Sequence, residues 1–388
     1  MQLADRIQPL QTNVFADMDN AKARAKAKGQ DLIDLSLESS DLPTDPLVLD
    51  AIAQSLPDPS THGYLLFSGT QRFRQTVAQW YERKFGLEVD PDTEVLTLIG
   101  SQEGTGHFPL AVLNPGDVAL LQDPGYPSHA GGVHLASGHI HLMPLLAEHQ
   151  FLPQFDAVPV DVLAKARLMV LSYPHNPTTA TATVAFFEEA IAFCQRHNIV
   201  LAHDFPYGDF MFDGSTAPSI FQADRQKNVG IEFFTMSKSY NMGGFRVGYA
   251  IGNADLIRAL RQVKSYIDFN QYPGILNGAI AALTSHDTIP EKTVETFKQR
   301  RDACIKILHD MGWMVDIPTS TMYIWAKLPE PWQHHSIGFC TELVEATGVA
   351  AAPGAGFGPS GEGYIRLALV HPPDVLAIAA TRIAEFLQ

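Results

Sequence analysis

The stretch TMSKSYNMGGFRVGY, residues 235–249, sets Lys238 between two serines where an apolar run gives way to adjacent glycines, and Arg246 follows. A lysine at a buried strand end loses hydration, its pKa falls, and the free amine becomes a nucleophile toward an aldehyde. Four other apolar runs also end in polar residues. Gly100-Ser101-Gln102-Glu103 follows the first, Asp123-Pro124-Gly125-Tyr126 the second, His175-Asn176-Pro177 the third, and Asp204 with Tyr207 the fourth. Ligands of an open parallel α/β sheet bind beyond the carboxyl ends of its strands, so these five ends are expected to meet in one crevice.

Together they meet the needs of pyridoxal phosphate. That cofactor requires an amine for a Schiff base, a carboxylate to keep its pyridine nitrogen protonated, hydrogen bonds to its phenolic oxygen and an anion site for its phosphate. Lys238, Asp204, the pair Asn176 and Tyr207, and the turn at Ser101 supply these in that order. Gln102 and Glu103 belong to the same turn, which opens a helix whose free N–H groups favour an anion. Ser237, Ser239 and Arg246 are expected to add phosphate contacts, and Tyr126 to stack on the ring.

The elements that must position these residues are legible in the apolar pattern. Residues 94–100, 118–123, 167–174, 198–204, 230–237 and 247–252 read as strands buried on both faces, because they lack an apolar/polar alternation. Amphipathic stretches lie between several of them, 184–197 being the clearest, and the alternation implies a doubly wound, mostly parallel α/β sheet. From about residue 290 a long charged helix leads into TMYIWAKL, GFCTELVEATGV, a glycine- and proline-rich loop, YIRLAL and a last helix. A large domain over 51–285, a smaller α+β domain over 286–388, and a segment over 1–50 packing with the smaller one are therefore expected.

Composition narrows the function. With 388 residues, 46% of them apolar, the chain can build a sizeable core. Its 27 basic against 42 acidic residues give a net charge of -15, no footprint for nucleic acid or an anionic membrane. The charged start lacks a signal peptide's basic head and apolar run, and no long apolar span follows, so a soluble cytoplasmic protein acting on small molecules is expected. Cys194, Cys304 and Cys340 lack metal-ligand spacing and suit a reducing compartment. A G-x-G-x-x-G at 356–361 runs into Pro359 and a strand-like segment rather than a helix, which excludes a dinucleotide site. His139 and His141 alternate on a strand without the further ligands of a zinc site.

SKSYNMGGFRVGY resembles the lysine motif of the fold-type I class I/II aminotransferases, and the likeness runs nearly end to end. YPHNPT is similar to the family's asparagine motif, His203-Asp204-x-x-Tyr207 to its pyridinium-binding stretch, and PGAGFGPSGEGYIRLAL to the segment whose arginine, here Arg366, binds the substrate α-carboxylate. The lysine segment and the SQEG turn look most like the branch holding LL-diaminopimelate, aspartate and alanine aminotransferases. The resemblance implies a homodimer that moves an amino group between an L-amino acid and a 2-oxo acid such as 2-oxoglutarate. It implies a ping-pong course through a pyridoxamine form, with Lys238 as acid/base, Asp204 and Tyr207 supporting it, and Asn176 beside the substrate. Tyr64, in HGYLLFSG, is expected to cross the dimer interface to the partner's cofactor phosphate.

The chain departs from the family pattern at three positions. Thr179 stands where a glycine is usual, a mild change in a turn. Gln102 stands where a lysine is common, and Glu38 replaces a glycine in a segment expected to close over the substrate. The Glu38 carboxylate is expected to face solvent or the substrate's distal end, where it would pair with the second ammonium of a diamino acid. Fold and cofactor do not choose the bond broken. A lyase, racemase or decarboxylase on the same scaffold, or a sensor that binds the cofactor without turnover, stays open at the level of sequence.

Overall fold

The continuous apolar runs form the strands of a central sheet in the computed structural model, which describes residues 3–11 and 16–388. Residues 1–2 and 12–15 of the N-terminal segment lie outside the described part. In chain order the strands are β1 (Ile33–Asp34), β2 (Val95–Leu98), β3 (Val118–Asp123), β4 (His139–Pro144), β5 (Ala166–Leu171) and β6 (Val200–Asp204). There follow β7 (Gly230–Thr235), β8 (Gly248–Gly252), β9 (Tyr323–Lys327), β10 (Val349–Ala350), β11 (Ala352–Pro353) and β12 (Tyr364–Ala368).

Seven strands pair in the order β2-β8-β7-β6-β5-β3-β4. Only β8 runs against its neighbours, so β2 through β7 all point their carboxyl ends to one edge. Successive side chains face opposite sides of a strand. Leu120, Met169, Leu201 and Phe234 enter one core layer, while Ala119, Leu168, Ala202 and Phe233 enter the other. Both faces are covered by helices, which is why these runs carry no polar alternation. Each expected strand is present, and except for the reversed β8 each polar tail leaves the ladder to turn along the shared edge. Cys194, Cys304 and Cys340 are buried free thiols whose pKa is pushed up by burial, Cys304 to about 12.

A second layer is built from the antiparallel order β11-β12-β9 with the helices Thr288–Asp310, Ser336–Thr347 and Pro373–Phe386. The N-terminal segment joins it through β1, which pairs in parallel with β10, and through the helix Ala16–Ala27 against Ser336–Thr347. The helix Pro46–Ser55 spans residue 50 and packs instead on Pro273–Leu283. Between β1 and that helix runs a strap pinned at both ends. Leu35 N–H donates to Ala350 O, and Ala368 N–H donates to Leu35 O, each at 2.8 Å. At the far end Arg300 grips both oxygens of Asp41, at 2.6 and 2.8 Å, and Thr44 Oγ1 donates to Asn241 O at 2.6 Å.

Thr179 proves more than a mild change. It closes the turn after β5 with φ at 62°, its N–H donating to His175 O at 2.8 Å. A branched Cβ in the left-handed region costs about 1–3 kcal/mol, which glycine would not incur. Thr179→Gly is therefore expected to stabilise the protein by about 1 kcal/mol after glycine's extra chain entropy is subtracted. A thermal-unfolding midpoint at or below that of the parent would refute the strain.

Candidate active site

The strand tails meet in one cleft with about 620 Å³ of empty space, part of it open to solvent. Ser101, Gln102, Tyr126, Asn176, Asp204, Tyr207, Ser237, Lys238 and Arg246 line it, and Glu38 enters from the strap. Thr105, Ser172, Pro206 and Thr235 complete the wall, small or apolar residues that carry no motif signal.

Lys238 lies just past the end of β7. Its Nζ donates to Glu38 O at 2.5 Å and stands 5.8 Å from the centre of the Tyr207 ring. Burial strips the ammonium of water and pulls its pKa down to about 8; Arg366 and Arg246 push the same way, while Glu38 and Asp204 oppose. The amine is thus unprotonated over a usable part of the pH range.

Asp204 ends β6. Its Oδ2 is 2.9 Å from His129 Nε2, and its buried Oδ1 has no partner. An orphan carboxylate oxygen is costly unless a donor arrives, and a protonated ring nitrogen is such a donor. Sequence reading missed His129, whose only signal was its place in the first turn of the helix Pro127–Leu135. Asn176 Oδ1 accepts from Arg366 Nη1 at 2.8 Å, and the Tyr207 hydroxyl lies 2.8 Å from that of Tyr323. Tyr126 stands at the wall, its ring edge-on to His129 at 5.7 Å.

An anion seat forms where the helix Ser101–Val112 begins. Gly100, at φ 74°, supplies no side-chain cap, so the first N–H groups stay free. The guanidinium of Arg246 packs against it so closely that a Cβ on Gly100 would come within 2.5 Å of Nη2. Ser237 borders the same seat, its hydroxyl accepting from Thr235 Oγ1 at 2.9 Å.

Two expected cofactor contacts turn away from the cleft, and Tyr64 lies outside it on the surface. Glu103 turns out of the cleft, taking Ile99 N–H at 2.5 Å and the buried ammonium of Lys264 at 2.6 Å. Ser239 donates to Asp209 Oδ2 at 2.5 Å instead of facing a phosphate, because Asp209 pairs with Lys84 behind the cleft. Tyr64 is 87% exposed, its ring 5.1 Å from that of Phe269.

The partly exposed Glu38 side chain turns its carboxylate onto Arg366 rather than toward a distal pocket. Its Oε1 accepts from Arg366 Nη1 at 2.7 Å. Burial pushes the Glu38 carboxyl up, yet attraction and hydrogen bonding from Arg366, with help from Lys238 and Asn176, leave it below the usual carboxylate range. Arg366 also donates to Ser36 O at 3.0 Å and lies 4.3 Å from the centre of the Tyr323 ring.

A lysine of lowered proton affinity, an unpartnered carboxylate oxygen and an uncapped helix start with an arginine beside it fit pyridoxal phosphate at its three polar ends. Residues 30–383 match the family described as aminotransferase class I and II. The chain belongs to the class I and II aminotransferases. It is a pyridoxal-phosphate-dependent transaminase, and its fold is that of fold type I. This aminotransferase is 43% identical over its whole length to a Dehalococcoides mccartyi protein named LL-diaminopimelate aminotransferase, of which it covers 99%. A protein of the same name from Halothermothrix orenii is 42% identical over 99% of this chain and 98% of its own. Among solved structures, a probable N-succinyldiaminopimelate aminotransferase from Thermus thermophilus aligns with a TM-score of 0.90 at 41% identity, covering 96% of this chain and 99% of its own. Among the described residues no helix of this aminotransferase is long and apolar enough to cross a membrane.

The lowered pKa of Lys238 gives a signed expectation. The reactive form is the free amine, so capture of pyridoxal phosphate by the apoprotein, fixed with borohydride and mapped to Lys238, should speed up with pH and level off above about 8. Glu38→Gln removes a charge that favours the ammonium and should move the profile to lower pH. A rate still climbing toward about 10.4, the ordinary lysine range, would show an unperturbed amine.

Proposed function

We propose that this aminotransferase takes the amino group of LL-diaminopimelate and passes it to 2-oxoglutarate in a ping-pong exchange, working as a homodimer. The nearly full-length match to two relatives of that name, at 43% and 42% identity, carries the choice of donor. Pyridoxal phosphate supplies an electron sink and a temporary carrier for the amino group.

In this reading the chain's own residues do the rest. Lys238 would hold the cofactor through its amine and, once free, would take and return the proton at the substrate Cα as general acid and base. Asp204 Oδ1 keeps the proton on the ring nitrogen, and His129 holds the other oxygen so that Oδ1 stays aimed at the cleft. Asn176 and Tyr207 serve the phenolic oxygen, Tyr126 the ring face, and Ser101, Gln102, Ser237 and Arg246 the phosphate. Arg366 takes the substrate α-carboxylate, which fixes the Cα–H bond for cleavage.

Tyr64 belongs to the proposed dimer. It shares an exposed apolar strip with Leu66 and Phe269, and the strip is stitched together by Asn270, whose N–H donates to Leu65 O at 3.1 Å and whose Nδ2 donates to Leu66 O at 2.6 Å. An exposed apolar strip of this kind suits a second copy of the chain, which would bring each Tyr64 to its partner's phosphate.

With 2-oxoglutarate as acceptor, kcat/KM should be highest for LL-diaminopimelate in a panel with glutamate, aspartate and alanine; a leading rank for any other donor removes this assignment. Lys238→Ala should lose turnover while staying folded, and Asp204→Asn should lose at least roughly 100-fold, the worth of one charged hydrogen bond in a dry site. Mixing Lys238→Ala with Tyr64→Ala should restore activity, because a heterodimer then holds one site with neither lesion. No recovery after demonstrated subunit exchange would place Tyr64 outside the partner's site.

A further inference from the structure

An α-amino acid must bring its carboxylate to Arg366, and the Glu38 carboxylate already occupies that place. The backbone carbonyl of Glu38 accepts from Lys238 Nζ at 2.5 Å, and its carboxylate accepts from Arg366 Nη1 at 2.7 Å. The two halves of the ion pair differ in freedom. The Arg366 side chain is 1% exposed, packed between the Tyr323 and Phe357 rings and also bonded to Asn176 and Ser36, whereas the Glu38 side chain is 34% exposed. The strap that carries Glu38 is anchored on either side, at Leu35 and at Asp41, with exposed Leu37 and Ser39 flanking it. The anion is therefore the half that can leave, and a rotation of its side chain suffices.

We propose that Glu38 is an internal stand-in for the substrate carboxylate, one that handicaps carboxylate ligands at Arg366 and lets the cleft take primary amines carrying no carboxylate beside the amine. The inference rests on the reading of Arg366 as the carboxylate subsite. An α-amino acid must displace Glu38 from the guanidinium before its own carboxylate can bind, so its affinity is that of an exchange between two like groups. A carboxylate-free amine requires no such displacement. It leaves the Arg366 charge paired, whereas in a site with glycine at this position the same amine would bury a guanidinium facing no anion. The residue that replaces a small one thus sets which end groups the subsite tolerates, by competition rather than by contact with the ligand.

The test uses the holoenzyme of the parent, Glu38→Gln and Glu38→Gly, with propionate as the carboxylate probe and butylamine as the carboxylate-free amine. Apparent dissociation constants are read at pH 7 from the cofactor's absorbance and from calorimetry. Propionate is expected to bind about 10-fold tighter or more to both variants, one charged hydrogen bond's worth of relieved competition, while butylamine binds no better or more weakly. Glu38→Gln keeps the side chain's bulk, so a gain there separates charge competition from simple widening of the cleft. Equal propionate affinity in all three proteins overturns the proposal, as does a gain for butylamine equal to that for propionate. If the propionate shift is seen but diaminopimelate proves a poor donor, the donor assignment falls and the role of Glu38 stands; the reverse pair of results does the opposite.

Discussion

A cation taken out of water needs an acceptor within hydrogen-bond reach, and this requirement arranges much of the chain. Lys264 draws in Glu103 and Asp268, Lys84 draws in Asp209, Arg300 clamps Asp41, and Arg366 holds Glu38. All but the Lys264–Asp268 pair tie together segments far apart in sequence, and two of them fix the strap above the cleft. Lys238 differs in kind. Its nearest acceptor is a peptide carbonyl, and with no carboxylate in hydrogen-bond contact its burial is expressed as a lowered proton affinity. A cation left short of an anion at the end of β7 is what makes the site reactive.

The sheet gives that cation its neighbours. Because β8 alone is reversed, β2 ends on the same edge as the parallel run, and the helix start at Ser101 comes to face the tails of β5, β6 and β7. The second layer then brings Arg366 on β12 and the strap to the open side. Leu35, bonded to the ends of β10 and β12 through Ala350 and Ala368, delivers the following residues onto Arg366. The cleft's strand tails and Arg366 thus come from different layers, and the N-terminal segment is the link between them.

The fold was readable because strands buried on both faces leave uninterrupted apolar runs, and Lys238, Asp204 and Asn176 were readable because each ends such a run. The failures share one cause. Glu103 and Ser239 sit in the right turns, but whether their side chains face the cleft is decided by Lys264 and the Lys84–Asp209 pair, distant residues that leave no local mark. His129 is a single histidine in a helix, meaningful only once Asp204 lies 2.9 Å away. Glu38 was visible as a departure, yet its direction depended on Arg366, 328 positions along the chain. At Thr179 the residue type was plain and the backbone's sign was not, since φ is set by the closure of the turn on His175.

The exchange at Arg366 also bears on the electrostatic constancy of the cleft. When one carboxylate leaves the guanidinium and another takes its place, the local charge count there is the same before and after. The field felt at Lys238, to which Glu38 and Arg366 contribute with opposite sign, is then largely insulated from the arrival of the ligand. In a site where a bare guanidinium waits for its anion, binding itself would shift the amine's proton affinity upward. In the proposed exchange the strap supplies that anion in advance, so the proton affinity of the free amine is set by folding rather than by the ligand.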